Sequence, residues 1–320
     1  MLPRDIDTRT VTLVDIPLVI RLIDKATVLD NQLAYTRDVS VPNGTTLSDA
    51  LLAPRVHTLV TRSDKEQAIG QFRLRSSDSC AQIVYLAPRL DDNMDNTLYL
   101  HTLDAMAREA GKNAARSLVA EVDEASALFE TMRNAGYAVY ARQQIWRRLP
   151  GNNLGDSSPL CALEEGDITT PGVQPLLAQT IAPLLRPITA PPSNLSGWVY
   201  RQEDKTAAYI AVSEGKNGVY LIPYLHPGII SELGAIFTAL VQRVQSKKRP
   251  IYICVRRHQD WMTSVLEQVD FEPGPNQAVM VKHLTAGVRQ ASFEMVQQPL
   301  GTDVVPVKPP SNSNVVDILD

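Results

Sequence analysis

Residues 118–148 read LVAEVDEASALFETMRNAGYAVYARQQIWRR, and this stretch decides the fold. Its first five residues, Leu118–Val122, are mostly apolar and predict a buried strand. Asp123 is a residue type that starts helices, and a helix is predicted from there to about Ala135. The alternation between Tyr137 and Arg147 predicts a closing strand. The stretch is therefore a strand–helix–strand unit of the kind found in α/β proteins.

The segments before this unit extend the same pattern. Residues 9–14 alternate like a strand, and Asp15 is predicted to cap the helix that follows, with Pro17 in its first turn. A hairpin is predicted from residues 57–62 and 68–74, a strand from 81–86 and an amphipathic helix from Thr97 to Gly111. The predicted order is β-α-(loop)-β-β-β-α-β-α-β.

The second part of the chain repeats this order. It contains a predicted hairpin (197–201 and 207–212), a strand (218–222), a helix (228–245), a strand (251–255), a helix (259–268) and a strand (277–282). The same elements recur at a near-constant offset, which indicates an internal duplication. Residues 172–185 have helical spacing, but Pro183 is expected to break a helix there.

Linker-like segments divide the chain. We predict an N-terminal domain at 1–148, a linker rich in turn formers at 149–159 and a C-terminal domain at 160–290. Residues 291–320 are rich in proline and small polar residues and are predicted to be disordered. The apolar end of this tail, residues 315–320, is either an ordinary terminus or a short segment that docks on a protein partner.

The composition excludes several classes of protein. Lys and Arg total 31 and Asp and Glu total 35, so the net charge of −4 gives no basic field for nucleic acid. The sequence has no apolar run that could span a membrane and no apparent signal peptide. The five histidines lack metal-site spacing, so no metal is expected. Three widely separated cysteines form no disulfide framework, which predicts a cytoplasmic protein.

The closing unit resembles a known superfamily. Ala127–Glu130, followed by Asn134–Tyr137, is similar to the last helix and the Gly-aromatic exit of the GNAT acyltransferases. Val265–Phe271 takes the same place in the second copy, with Asp270 instead of glycine. The resemblance covers residues 8–148 well and 160–285 more weakly. It implies an α/β (α+β) fold of two GNAT-like domains, each a mixed sheet with helices on both faces.

The resemblance also implies an acyl-CoA such as acetyl-CoA between two splayed parallel strands, with its pyrophosphate at a helix start. The superfamily uses a loop of the form Q/R-x-x-G-x-G/A there, and glycine lets the backbone approach the anion. Neither copy keeps this loop, and the first carries Asp91, Asp92 and Asp95 instead. The cofactor-binding positions implied are Thr97 and Leu98 in the first copy and Gly228, Ile229 and Ile230 in the second.

Catalytic groups are implied in the same way. The tyrosine that many members use as a general acid is replaced by Met132 and Leu266. Glu121, beside the cleft, is the candidate general base for an ammonium substrate. Tyr85, Tyr220 and Tyr224 lie on strands that should line the clefts and orient ligands.

Two functions remain open from the sequence. The first is an N-acyltransferase that passes an acetyl or other acyl group from acyl-CoA to an unidentified small-molecule or peptide amine. The second is a non-catalytic binding or scaffold protein that keeps the fold and has lost the cofactor site. Stabilisation by acetyl-CoA would distinguish them, since a ligand that binds the native state raises its stability.

Overall fold

The fold is taken from a computed structural model. It describes residues 6–37, 55–64, 66–74, 80–92, 94–151, 161–192, 195–245 and 249–284. All of them belong to one compact unit, Met1–Ala286. Most of the predicted linker and the whole predicted tail, 291–320, lie outside the described residues. The domain boundary at 149–159 therefore stays a prediction.

The first half of the chain supplies seven of the described strands and four of the described helices. The strands are β1 (Asp7–Thr10), β2 (Thr27–Val28), β3 (Val56–Arg62), β4 (Gln67–Leu74), β5 (Cys80–Ala87), β6 (Ser117–Asp123) and β7 (Ala138–Arg148). The helices are α1 (Ile16–Ile23), α2 (Asn31–Thr36), α3 (Thr97–Lys112) and α4 (Ala127–Asn134).

The second half repeats this arrangement. The strands are β8 (Leu163–Asp167), β9 (Ser196–Gln202), β10 (Lys205–Glu214), β11 (Val219–Leu225), β12 (Ile251–Arg256) and β13 (Glu272–His283). The helices are α5 (Val173–Thr180), α6 (Arg186–Thr189), α7 (Leu233–Gln245) and α8 (Thr263–Gln268). The mixed α/β fold predicted from the sequence is confirmed.

A few local expectations need correction. The helix expected over 228–245 begins as a 3-10 turn, Pro227–Glu232, and becomes α-helical at Leu233. The helix expected from residue 259 likewise begins as a 3-10 turn, Arg257–Met262, and becomes α-helical at Thr263. Helix α4 is preceded by Ser126 and not by Asp123, which still belongs to β6. Helix α5 ends at Thr180, before Pro183, as the missing N–H of proline requires.

The thirteen strands of the described residues form one continuous sheet. Its order is β1-β3-β4-β5-β6-β13-β7-β12-β11-β10-β9-β8, and β2 pairs with β5 outside this path. The closing strands of the two halves have exchanged places: β13 pairs with β6 of the first half, and β7 pairs with β12 of the second. The two also pair with each other, antiparallel, at the centre. Each half of the sheet is thus completed by the other half of the chain.

Short helices cross between the halves in the same way. Helix α2 packs on β10 and β11, and its Tyr35 ring stacks on Tyr220, with the ring centroids 5.9 Å apart. Helix α6 lies over the first half, where Ile188 packs against Val119 on β6 and Val279 on β13. Strand and helix exchange together join the halves through buried apolar contacts.

Candidate functional site

The two splayed clefts that the GNAT resemblance implies are both present. In the first half β5 and β6 are parallel and pair only at Cys80–Gln82 with Ser117–Val119. In the second half β11 and β12 pair only at Val219–Leu221 with Ile251–Ile253. Beyond these short ladders each pair of strands diverges. The contents of the two clefts therefore decide what they can bind.

The first cleft is occupied by the chain's own backbone. Strand β2 pairs with the free edge of β5, with Thr27 opposite Leu86 and Val28 opposite Tyr85. The next residue, Leu29, is 1% exposed and bridges the two diverging strands.

The hydrogen bonds of Leu29 show how completely it fills this space. Its N–H donates to the carbonyl of Val84 on β5 at 2.8 Å, and its carbonyl accepts from the N–H of Glu121 on β6 at 3.0 Å. The same carbonyl also accepts from the Gln82 amide at 2.9 Å. The edge groups that would receive an extended ligand between β5 and β6 thus already have partners in the chain.

Glu121, the candidate general base, lies inside this arrangement. One oxygen of its carboxylate accepts from the backbone N–H of Asn31 at 2.7 Å, and the other accepts from the Gln143 amide at 3.1 Å. The carboxylate therefore anchors the start of α2 and contacts β7. Its catalytic role stays a prediction.

The helix start next to the first cleft is capped internally. The Asp95 carboxylate accepts from the backbone N–H of Thr97 at 3.0 Å and from its hydroxyl at 2.6 Å. Leu98, the other predicted position, is buried in a cluster with Ala68 and Leu90. A carboxylate thus stands at the N–H group where the pyrophosphate was expected, and its charge repels another anion.

The second cleft holds a side chain instead of backbone. Gln259, which is 3% exposed, donates from its amide to the carbonyl of Pro223 on β11 at 3.0 Å. Its amide oxygen accepts from the backbone N–H of Arg256 on β12 at 3.1 Å. Gln259 therefore ties the two strands together where they diverge.

The helix start next to the second cleft offers few donors. Pro227 has no N–H, and the N–H of Gly228 donates to His226 Nδ1 at 3.1 Å. The N–H of Ile229 bonds to the His226 carbonyl at 3.2 Å, and the Ile229 side chain is fully buried. Ile230 is 51% exposed. The three predicted positions lie together, but their geometry is a 3-10 turn and not a nest of free N–H groups.

The predicted cleft tyrosines are core residues in this fold. Tyr85, Tyr220 and Tyr224 are each 1–2% exposed. Burial raises the pKa of Tyr85 and of Tyr220, so both phenols stay neutral. Tyr224 donates its hydroxyl to the carbonyl of Thr189 at 2.7 Å.

A buried polar network that the sequence did not reveal joins the two clefts. Asn31 donates its amide to Gln277 at 2.6 Å, and Gln277 lies opposite Gln143 in the β13–β7 ladder. The Gln143 amide oxygen accepts from the Cys254 thiol at 3.3 Å. The one available signal was the presence of glutamine, at Gln143 and Gln277, within the predicted strands. In the described residues, no three potential ligand side chains cluster in a way that could hold a metal ion.

Comparisons with known proteins define the class of fold. The chain is similar to a tandem GNAT protein from the clavulanic acid biosynthesis pathway, solved without AcCoA: TM-score 0.52, 15% identity, covering 88% of this chain and 99% of that one. It is also similar to a GCN5-related N-acetyltransferase from Sphaerobacter thermophilus: TM-score 0.52, 10% identity, covering 89% and 97%. No family model and no curated protein matches the chain.

The chain therefore has the tandem GNAT fold, which confirms the resemblance inferred from its closing unit. At 15% and 10% sequence identity, the similarity concerns the fold alone.

Within the described part of the chain no helix is long and apolar enough to cross a membrane. The three cysteines, Cys80, Cys161 and Cys254, form no disulfide.

Proposed function

We propose that this protein is a non-catalytic binding protein built on the tandem GNAT fold. The observation that carries the proposal is the segment Thr27–Asn31, which occupies the first cleft with its own backbone. An acyl-CoA in that cleft would have to displace the hydrogen bonds of Leu29 to Val84 and Glu121. Acetyl-CoA therefore does not fit the first half.

The missing chemical groups support the same proposal. Met132 and Leu266 occupy the positions of the tyrosine that many members use as a general acid, and both are fully buried side chains with no ionisable proton to donate. The two helix starts that would hold a pyrophosphate are capped by Asp95 and by His226. A role for residues 315–320 in docking a protein partner belongs to this proposal.

One observation favours a second candidate, an N-acyltransferase that works in the second half. In the described residues, no third strand pairs between the diverging ends of β11 and β12, which are joined by the Gln259 side chain and by the Thr189 carbonyl that accepts from both Tyr224 and Arg256. Such an enzyme would transfer an acetyl or other acyl group from acyl-CoA to an amine. The helix start at Gly228–Ile230 counts against this candidate, because it offers few free N–H donors for a pyrophosphate.

Thermal unfolding with millimolar acetyl-CoA, longer acyl-CoAs and free CoA tests the proposal. We expect no rise in Tm with any of them. A real site at a hundredfold excess of ligand over Kd would add about 2.7 kcal/mol to the free energy of unfolding. A saturable rise would overturn the non-catalytic proposal and support the acyltransferase.

Hydrogen exchange tests the first cleft directly. The backbone N–H groups of Leu29 and Glu121 point into it, and both are hydrogen-bonded there. If the segment Thr27–Asn31 stays in the cleft, these two amides exchange as slowly as the core amides of β5 and β6. Fast exchange at both positions, with slow exchange in the strands, would show that the segment leaves the cleft.

A further inference from the structure

Strand β1 lies at one end of the sheet, and no strand of the described residues lies beyond it. The N–H of Val11 donates to the Thr58 carbonyl at 2.8 Å, which continues the register between β1 and β3. Hydrogen-bonded and non-bonded positions alternate along an antiparallel pair, so the backbone groups of Thr8 and Thr10 point away from β3. This edge therefore offers donors and acceptors to a further strand.

The opposite edge of the sheet, β8, is partly closed by the chain itself. The N–H of Leu163 donates to the Cys161 carbonyl at 3.0 Å, and the Leu163 carbonyl accepts from the Arg243 guanidinium. On β1 the Arg9 guanidinium donates to the Thr10 carbonyl at 3.2 Å. The N–H groups of the β1 edge have no such contact within the described part of the chain. Because proteins usually protect an exposed strand edge, the open edge of β1 indicates a place for a partner.

A groove of about 200 Å³ lies beside this edge, between β1 and α3. Thr8 and Thr10 line it from β1, and Leu59 and Ala105 give it apolar, largely buried walls. Directly opposed residues of an antiparallel pair turn their side chains to the same face of the sheet. In an added antiparallel strand, the residues that bond to Thr8 and Thr10 would therefore also place their side chains in the groove.

The charge of the groove indicates the chemistry of the partner. Arg9, Arg108 and Lys112 line it, against a single carboxylate, that of Glu109. The Arg108 and Lys112 side chains are 68% and 73% exposed, and their ion pairs within α3 are of the weak, solvent-exposed kind. Pairing of β1 with a second copy about a two-fold axis would bring the same cations together. An acidic strand from another protein complements them instead.

We propose that β1 pairs, antiparallel, with an extended acidic segment of a partner protein. Backbone hydrogen bonds to Thr8 and Thr10 hold the segment, and glutamate or aspartate side chains in the groove meet Arg108 and Lys112. The surface goes beyond the proposed function, because it does not depend on whether acyl-CoA binds. Two strands, β3 and β4, separate it from the first cleft.

Fluorescence anisotropy of labelled nonapeptides with blocked ends, titrated with the full chain, tests the surface. A peptide of alternating glutamate and threonine should bind saturably, and one of alternating lysine and threonine should not. N-methylation of the glutamate amides should weaken binding roughly tenfold or more, because it removes the donors to β1. N-methylation of the threonine amides, which point to solvent, is the matched control and should be tolerated. Absence of binding, equal binding of the lysine peptide, or equal loss from both methylations overturns the proposal.

Protein variants locate the binding on the groove. R108Q/K112Q should lower the affinity for the glutamate peptide by roughly 3- to 10-fold, since exposed ion pairs are individually weak. The control is R133Q/R142Q, which removes two arginines of the same half that form similar exposed ion pairs. Unchanged affinity in R108Q/K112Q, or the same loss in the control, would refute the assignment. Sedimentation that shows a dimer of the chain, dissociated by the peptide, would assign the edge to a second copy instead.

Discussion

Asp15 shows at the scale of one residue how tertiary contacts override a local signal. The sequence predicts that it caps α1, and it does precede that helix. However, its side chain is fully buried and bonds to Arg9 at 2.6 Å and to Arg62 at 2.7 Å. The hydrogen bond from Arg9, together with those from Thr12, holds the pKa of the Asp15 carboxyl well below its usual range despite burial. No local sequence pattern predicts the contact with Arg62, which lies at the end of β3, 47 residues further along the chain.

Replacement of this carboxylate gives the first prediction. D15N should lower the free energy of unfolding by about 2 kcal/mol at pH 7, because two arginines lose a charged acceptor. The native pKa lies below the unfolded one, so the contribution is present above the unfolded pKa and is lost as the pH falls. The difference between wild type and D15N should therefore shrink between about pH 5 and pH 3.

Urea unfolding at several pH values measures this difference. D92N, at an exposed position, is the control and should stay within about 0.5 kcal/mol of wild type. A difference for D15N that stays constant from pH 7 to pH 3 would show that the ion pairs contribute nothing.

At the scale of elements, length separates what the sequence predicts from what it misses. Helix α3 is sixteen residues long, its apolar positions recur with helical spacing, and its predicted bounds are within one residue of those observed. Strand β2 has two residues and helix α2 has six, too few for a period to emerge. Both are stabilised by partners far along the chain. The filling of the first cleft was unpredictable for the same reason.

The anchor of α2 gives the second prediction. Asn31 and Gln277 exchange amide hydrogen bonds at 2.6 and 3.3 Å in a buried position. N31A leaves the buried NH2 group of Gln277 without its acceptor, so the free energy of unfolding should fall by about 1–3 kcal/mol. Chemical denaturation measures this loss.

Neighbouring substitutions make the test specific. Gln32, half-buried on the same helix, donates to Ser213, so Q32A should cost less than N31A. The double variant N31A/Q277A should lose less free energy of unfolding than the two single variants lose together, because it removes both hydrogen-bonding partners and leaves neither unsatisfied. Strict additivity would mean that the two amides do not interact.

At the scale of the whole molecule, the sequence predicts the repeat but not the exchange. Strands β7 and β13 hold equivalent places in the two copies. Element order alone cannot say which copy a closing strand joins. The exchange depends on long-range pairing, β13 with β6 and β7 with β12, which leaves no mark on local sequence.

Exchange of the closing strands predicts cooperative unfolding of the two halves. Leu103 lies in the core of the first half, whereas all three tryptophans, Trp146, Trp198 and Trp261, contact the core of the second. L103A creates a cavity and should lower the free energy of unfolding by about 2–5 kcal/mol. The tryptophan fluorescence transition should shift by the same amount as the far-UV circular dichroism.

The control for this measurement is L184A, because Leu184 is 80% exposed and its removal should leave both transitions unchanged. Fluorescence that keeps its wild-type midpoint in L103A, while circular dichroism shifts, would mean that the halves unfold independently despite the shared sheet.

The position of β13 also constrains the order of events during synthesis. A ribosome makes β6 and β7 well over a hundred residues before β13, yet β13 lies between them in the finished sheet. Until that strand emerges, the newly made first half carries two unsatisfied strand edges, the kind of surface on which nascent chains associate wrongly. The last described strand thus completes the middle of the sheet, and the first half finishes its folding only after β13 has been made.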